Sequence, residues 1–101
     1  MAQVARIGDS FATGHPCDGS SVIAGGSGTV FANGIGVARL GDPSAVHDEE
    51  VGGVCVPHVV AVAGSSGTVF ADGIGVARVG DAIDAGAITG GSPDVFAGAR
   101  L

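Results

Sequence analysis

The chain has no lysine, no tryptophan and no tyrosine, and a single methionine. Four arginines against ten acidic residues leave a formal charge of −6. Nothing beyond those scattered arginines is available to neutralise phosphates, which excludes a nucleic-acid surface. The same balance disfavours an anionic membrane. Aromatic residues are 4% of the chain, and the 46% that are hydrophobic are mostly Val and Ala. A core built from such small side chains in 101 residues needs a second source of stability, and a metal would serve. No apolar run approaches the roughly 18 to 20 residues that a membrane helix requires. No charged segment followed by an apolar one opens the chain, so export is expected to use a route other than a signal peptide. No glycine-free window places apolar residues at i, i+3, i+4 and i+7, and no helix is expected. Glycine is 20 of 101 residues, without the Gly-X-Y period of collagen.

What is present is a repeat. Ser27 to Asp42 recurs as Ser66 to Asp81, differing only at Asn33/Asp72 and Leu40/Val79. Pieces of the same unit close both ends: Val4-Ala5-Arg6-Ile7-Gly8-Asp9 is a tail without a head, and Ser92-Pro93-Asp94-Val95-Phe96-Ala97-Gly98 is a head with a shortened tail. Thr-Val-Phe-Ala has strand composition. Asn33-Gly34 and Asp72-Gly73 are strong signals for a type I′ hairpin turn, which needs positive φ at both positions. Val-Ala-Arg-(Leu/Val)-Gly is the return strand, and Gly-Asp ends it. The expectation is one all-β domain over residues 1–101, with units at about 20–42, 58–81 and a split unit, 88–101 plus 1–9. Three hairpins imply pseudo-threefold symmetry, closed by pairing of the terminal strands. Residues 10–19 and 42–57 read as loops, with short strands at 20–24, 58–63 and 88–89.

All the histidines and both cysteines fall in or just beyond the segments that follow the Gly-Asp corners. His15 follows Asp9 by six residues and His47 follows Asp42 by five, which makes them equivalent. Cys17 lies two residues after His15, and His58 three after Cys55. Zinc takes four ligands, with Cys sulfur and His nitrogen preferred. Five candidates, His15, Cys17, His47, Cys55 and His58, thus exist for four positions, and metal binding or free thiols are favoured over a disulfide. The third corner segment offers only Asp84 beside Ala85 and Ala87 and is expected to donate nothing. The Arg6/Asp9, Arg39/Asp42 and Arg78/Asp81 pairs read as structural ion pairs, each worth little if exposed. Glu49 and Glu50 read as a solvated acidic face rather than a general base, so no catalytic residue is assigned. A small zinc hydrolase and a free-standing glycine-rich binding module remain the alternatives. The latter expects threonine ladders, and only Thr29 and Thr68 are equivalent.

The repeated (Gly)-Ser-x-x-Val-Phe-x-(Asn/Asp)-Gly…Ala-Arg-(Leu/Val)-Gly-Asp unit, Gly14-His15 after the first corner and Cys55-x-x-His58 together resemble the PAAR-repeat proteins. Those are the spike-tip proteins of type VI secretion systems and contractile phage tails. The signature residues read Gly36-Val37-Ala38-Arg39 and Gly75-Val76-Ala77-Arg78 here instead of Pro-Ala-Ala-Arg. The resemblance implies a small cone of β-hairpins whose base sits on the blunt end of a trimeric β-helical spike (VgrG-like or a phage central spike), one chain per trimer. It implies a structural zinc, with iron possible, held near the apex by His15, His47, His58 and a cysteine. The family's cysteine often follows the last Gly-Asp, where this chain has Ala85, so Cys55 is expected to substitute, with Cys17 as the alternative. The implied role is non-enzymatic: sharpening a spike that pierces a cell envelope. The implied location is the tip of a phage baseplate spike or of a secretion spike, reached from the bacterial cytoplasm. With Leu101 as the last residue, a bare tip without a fused effector is expected.

Overall fold

A computed structural model describes residues 2–98 of the chain. They form an all-β fold of short antiparallel elements. In chain order the strands are β1 (Ala2–Gln3), β2 (Ser10–Ala12), β3 (Ser20–Val22), β4 (Phe31–Ala32), β5 (Ile35–Gly36), β6 (His47–Val51), β7 (Val54–His58), β8 (Phe70–Ala71), β9 (Ile74–Gly75), β10 (Ala82–Ile83), β11 (Gly86–Ile88) and β12 (Phe96–Ala97).

The repeat hairpins are β4–β5 and β8–β9. Their turns have φ of 57° and 75° at Asn33 and Gly34, and of 55° and 77° at Asp72 and Gly73, the positive pair that a type I′ turn demands. The third hairpin is assembled from the chain ends, β1 against β12. The outermost parts of the split unit, residues 1 and 99–101, lie outside the described residues.

A cyclic pattern joins the units. Isolated bridges pair Arg6 with Val37, Arg39 with Val76 and Arg78 with Val4. Ala38 N–H donates to the Ala5 carbonyl, Ala77 to Ala38 and Ala5 to Ala77, each at 2.9 Å. Each unit thus bonds to the next and the last to the first. The core follows the same rule: Ala5, Ala38 and Ala77 are fully buried, as are the trios Val4/Val37/Val76, Ala32/Ala71/Ala97 and Ile23/Val62/Ile88. Where three strands converge on one axis there is room only for small side chains, which accounts for the Ala and Val composition.

The corner ion pairs are stronger than expected of exposed pairs. In each, one carboxylate oxygen accepts from the Arg backbone N–H and Nε, and the other from Nη2, at 2.8–3.0 Å. Their side chains are at most 18% exposed, so these forks are partly shielded from water. Buried Ser27, Ser66 and Ser92 add a second cyclic link. Each accepts two backbone N–H bonds from the residues that lead into the following strand. Each also donates to a neighbouring hairpin, at Asp72, the Gly98 carbonyl and Asn33 respectively.

Several expected loops are strands. Residues 10–12 form β2, which joins β10, β11 and β3 in a four-stranded sheet of order β10-β11-β2-β3. The segment expected as the longest loop is the β6–β7 hairpin, turning at Gly52 and Gly53 with φ of 59° and 83°. Its acidic run, Asp48-Glu49-Glu50, lacks the apolar alternation that marks a strand, so register is set instead by the double-glycine turn. The expected strand at 58–63 is the end of β7 followed by bridges at Ala61 and Val62. The expected strand at 88–89 is the end of β11.

Candidate metal centre

Beyond the corners the chain brings four side chains to one point. His15 lies in the loop between β2 and β3, His47 opens β6, His58 closes β7, and Asp84 sits in the β10–β11 turn. His47 and His58 are cross-strand partners, so hairpin pairing alone sets them side by side. Gly14 has a φ of 75°, and a Cβ there would collide with the Ala85 carbonyl. Glycine therefore lets the His15 loop lie directly on the turn that carries Asp84. Asp84 itself takes a φ of 57°, a left-handed conformation that Asp tolerates. Beneath the cluster, buried Phe11 meets the His47 ring edge-on at 5.6 Å.

The donor atoms are three Nε2 and one carboxylate oxygen. Asp84 Oδ2 is 2.7 Å from His15, 2.9 Å from His47 and 3.4 Å from His58. The His58 nitrogen is 2.8 Å from that of His47 and 3.2 Å from that of His15. Four ligands around zinc at about 2.0–2.1 Å would lie about 3.3 Å apart, and the four donors here all lie within 4.8 Å of one another.

The opposite nitrogens fix the tautomers. His15 Nδ1 is 3.0 Å from the Pro16 carbonyl and His47 Nδ1 is 3.0 Å from the Ala45 carbonyl. A carbonyl only accepts, so in both rings Nδ1 carries the proton and a neutral ring presents a bare Nε2 to the centre. His58 Nδ1 faces the Glu49 carboxylate at 3.3 Å. Oxygen partners of this kind behind each ligating ring are the usual companions of metal-bound histidine. A divalent metal between these lone pairs and the carboxylate would engage all four donors at once.

The two shifted groups pull in different directions: an ionised Asp84 suits a cation, whereas a His15 drawn towards its protonated form competes with one. Burial alone would raise the Asp84 carboxyl, but hydrogen bonds with His47 and His15 hold it below the usual carboxylate range. His15 is raised by its bond to the Pro16 carbonyl and by Asp84, against the effect of burial. The His3Asp cluster could hold a metal ion.

The structure unites the three expected histidines and corrects the fourth ligand. Cys55, and its alternative Cys17, are joined to each other in a disulfide across 6.0 Å of Cα separation. A disulfide sulfur has no thiolate to offer. The pairing arises because β7 lies against the His15 loop, where Asp48 N–H also donates to the Asp18 carboxylate at 2.7 Å. The third corner segment, expected to donate nothing, supplies Asp84. Its signal was positional: it lies three residues after the third Gly-Asp, in the segment that corresponds to those carrying His15 and His47.

A scan against protein-family models finds no match, and no curated protein matches the chain. Among the described residues no helix is long and apolar enough to cross a membrane.

Proposed function

We propose that this chain is a PAAR-like structural tip protein, stiffened by a metal clip, that caps a trimeric β-helical spike of a contractile injection machine. The observation that carries this reading is an apolar surface written three times. Phe31, Phe70 and Phe96 occupy equivalent hairpin positions and are 57%, 57% and 47% exposed, with Val30, Val69 and Val95 also exposed beside them. A single chain seldom leaves large apolar side chains bare in equivalent sets unless a partner covers them. A pseudo-threefold set matches the end of a true threefold trimer, one chain per trimer.

The metal centre supports a structural role. Three histidines and an aspartate would supply four ligands, the number of a closed structural site, which counts against the hydrolase alternative. Zinc suits this donor set, with iron as the other candidate. The disulfide suits a protein that works outside a reducing cytoplasm, as a phage or secretion spike tip does. Piercing an envelope calls for rigidity, which tight turns, partly shielded Arg–Asp forks and a bound ion would supply.

The test is to mix the purified chain with a trimeric β-helical spike end and determine stoichiometry. One chain per trimer is expected, abolished by Phe31→Asp with Phe70→Asp while thermal unfolding stays near wild type. Absence of binding, or binding indifferent to both substitutions, overturns the reading.

A further inference from the structure

The disulfide and the metal cluster tie together the same two segments. Cys17 is two residues from His15 on the β2–β3 loop, and Cys55 is three residues from His58 on β7. The Cys17–Cys55 bond spans 38 residues, nested just inside the 43 that separate His15 from His58. Either cross-link closes nearly the same long loop, so once one is made, the other has only a few residues left to order. Without the disulfide, the loop is held to the hairpin by the Asp18–Asp48 backbone contacts and by the cluster itself. Both cysteines are solvent-exposed, so the bond is open to reductants.

We propose that the Cys17–Cys55 disulfide is a positioning element of the metal centre, so that the redox state of the pair sets metal affinity. The proposal rests on the metal reading above. The oxidised bond holds His15 against His47 and His58 before metal arrives, and metal then binds a preformed site. Reduction by a glutathione-type thiol consumes two thiols, which become one glutathione disulfide, and leaves Cys17 and Cys55 each with a hydrogen. The loop carrying His15 then has to be ordered by the metal alone, and affinity falls. Linkage is reciprocal: whatever factor the disulfide adds to metal affinity, bound metal adds to the resistance of the disulfide to reduction. A further effect follows from the chemistry of the freed thiols, so the clean comparison uses serine in place of both.

The experiment measures zinc Kd by competition with a chromogenic chelator for the oxidised chain and for Cys17→Ser/Cys55→Ser. Weakening of roughly 5- to 150-fold is the expected range for coupled sites. Alongside it, the fraction of disulfide remaining in a glutathione redox buffer is read with and without buffered free zinc, on the wild-type chain and on His15→Ala. Zinc is expected to protect the wild-type bond and not that of His15→Ala. The second readout needs no folded serine variant, so it decides the matter should that variant fail to fold. An unchanged Kd, or zinc-independent reduction in a chain that binds zinc, overturns the coupling while leaving the metal centre standing. Absence of zinc binding by the oxidised chain overturns the metal reading itself and the coupling with it.

Discussion

His47 and His58 face each other across the foot of one hairpin with their Nε2 atoms 2.8 Å apart. His47 has committed its other nitrogen to the Ala45 carbonyl, and His58 points its own at Glu49. A cation held between the two nitrogens would be ligated by both, and would then seat the β6–β7 hairpin. Asp84 and His15 complete that seat from the sheet beside it.

Stripping the metal should loosen the fold. An ion at 100 times its Kd stabilises by about 2.7 kcal/mol, which for a domain of this size corresponds to a drop in Tm on the order of 10 °C upon chelation. Differential scanning calorimetry of the oxidised chain with and without a chelator checks this. Identical transitions would show that the ion, if bound, carries no load.

The axial alanines set a steric limit. Ala38 is fully buried and bonded to both of its counterparts, Ala5 and Ala77. Ala38→Leu should cost about 1–3 kcal/mol by overpacking. Urea unfolding reads it out, and a neutral result would mean that the three strands do not converge as described.

The corner forks should behave alike. Asp9→Ala, Asp42→Ala and Asp81→Ala each strand a guanidinium and two or more donors. Each should lose about 1–3 kcal/mol, above the 0–1 typical of an exposed pair. Comparable losses at all of them would support the cyclic architecture. A cost confined to one corner would break the equivalence.

Acid should attack the links between hairpins. Asp72 is held below the usual carboxylate range by the Ser27 and Thr29 hydroxyls and by Arg39, and Asp94 by Asn33 and Ser92. A depressed folded pKa contributes stability above the unfolded value of about 3.9 and loses it as pH falls through the folded value. In metal-stripped protein, which removes the acid sensitivity of ligation, the gap in stability between wild type and Asp72→Asn should close below about pH 4. A gap that stays constant with pH would remove Asp72 from the linkage.

Much of this architecture was legible in the repeat. Asn33-Gly34 and Asp72-Gly73 announced their turns because positive φ restricts the residues that fit. The split unit announced the pairing of β1 with β12. The histidines were legible as a set because they all fall in or just beyond the segments that follow the first two Gly-Asp corners. The β6–β7 hairpin was hidden, since Asp48-Glu49-Glu50 is a charge run and its strand character comes from pairing with β7. The disulfide was hidden for a related reason: the proximity of Cys17 and Cys55 depends on where that hairpin lies, which local sequence does not encode. Asp84 was passed over because a single carboxylate in an alanine-rich turn has no local mark of a ligand. Only its place after the third corner identified it.

The most direct test of the account is metal content by elemental analysis of the purified, oxidised chain, with Asp84→Ala, His47→Ala and Cys17→Ser/Cys55→Ser alongside at saturating zinc. The account predicts about one ion per chain in a four-ligand site, lost in Asp84→Ala and His47→Ala and retained in the cysteine variant. A folded wild-type chain without metal would contradict it, as would metal lost with the cysteines and kept without Asp84.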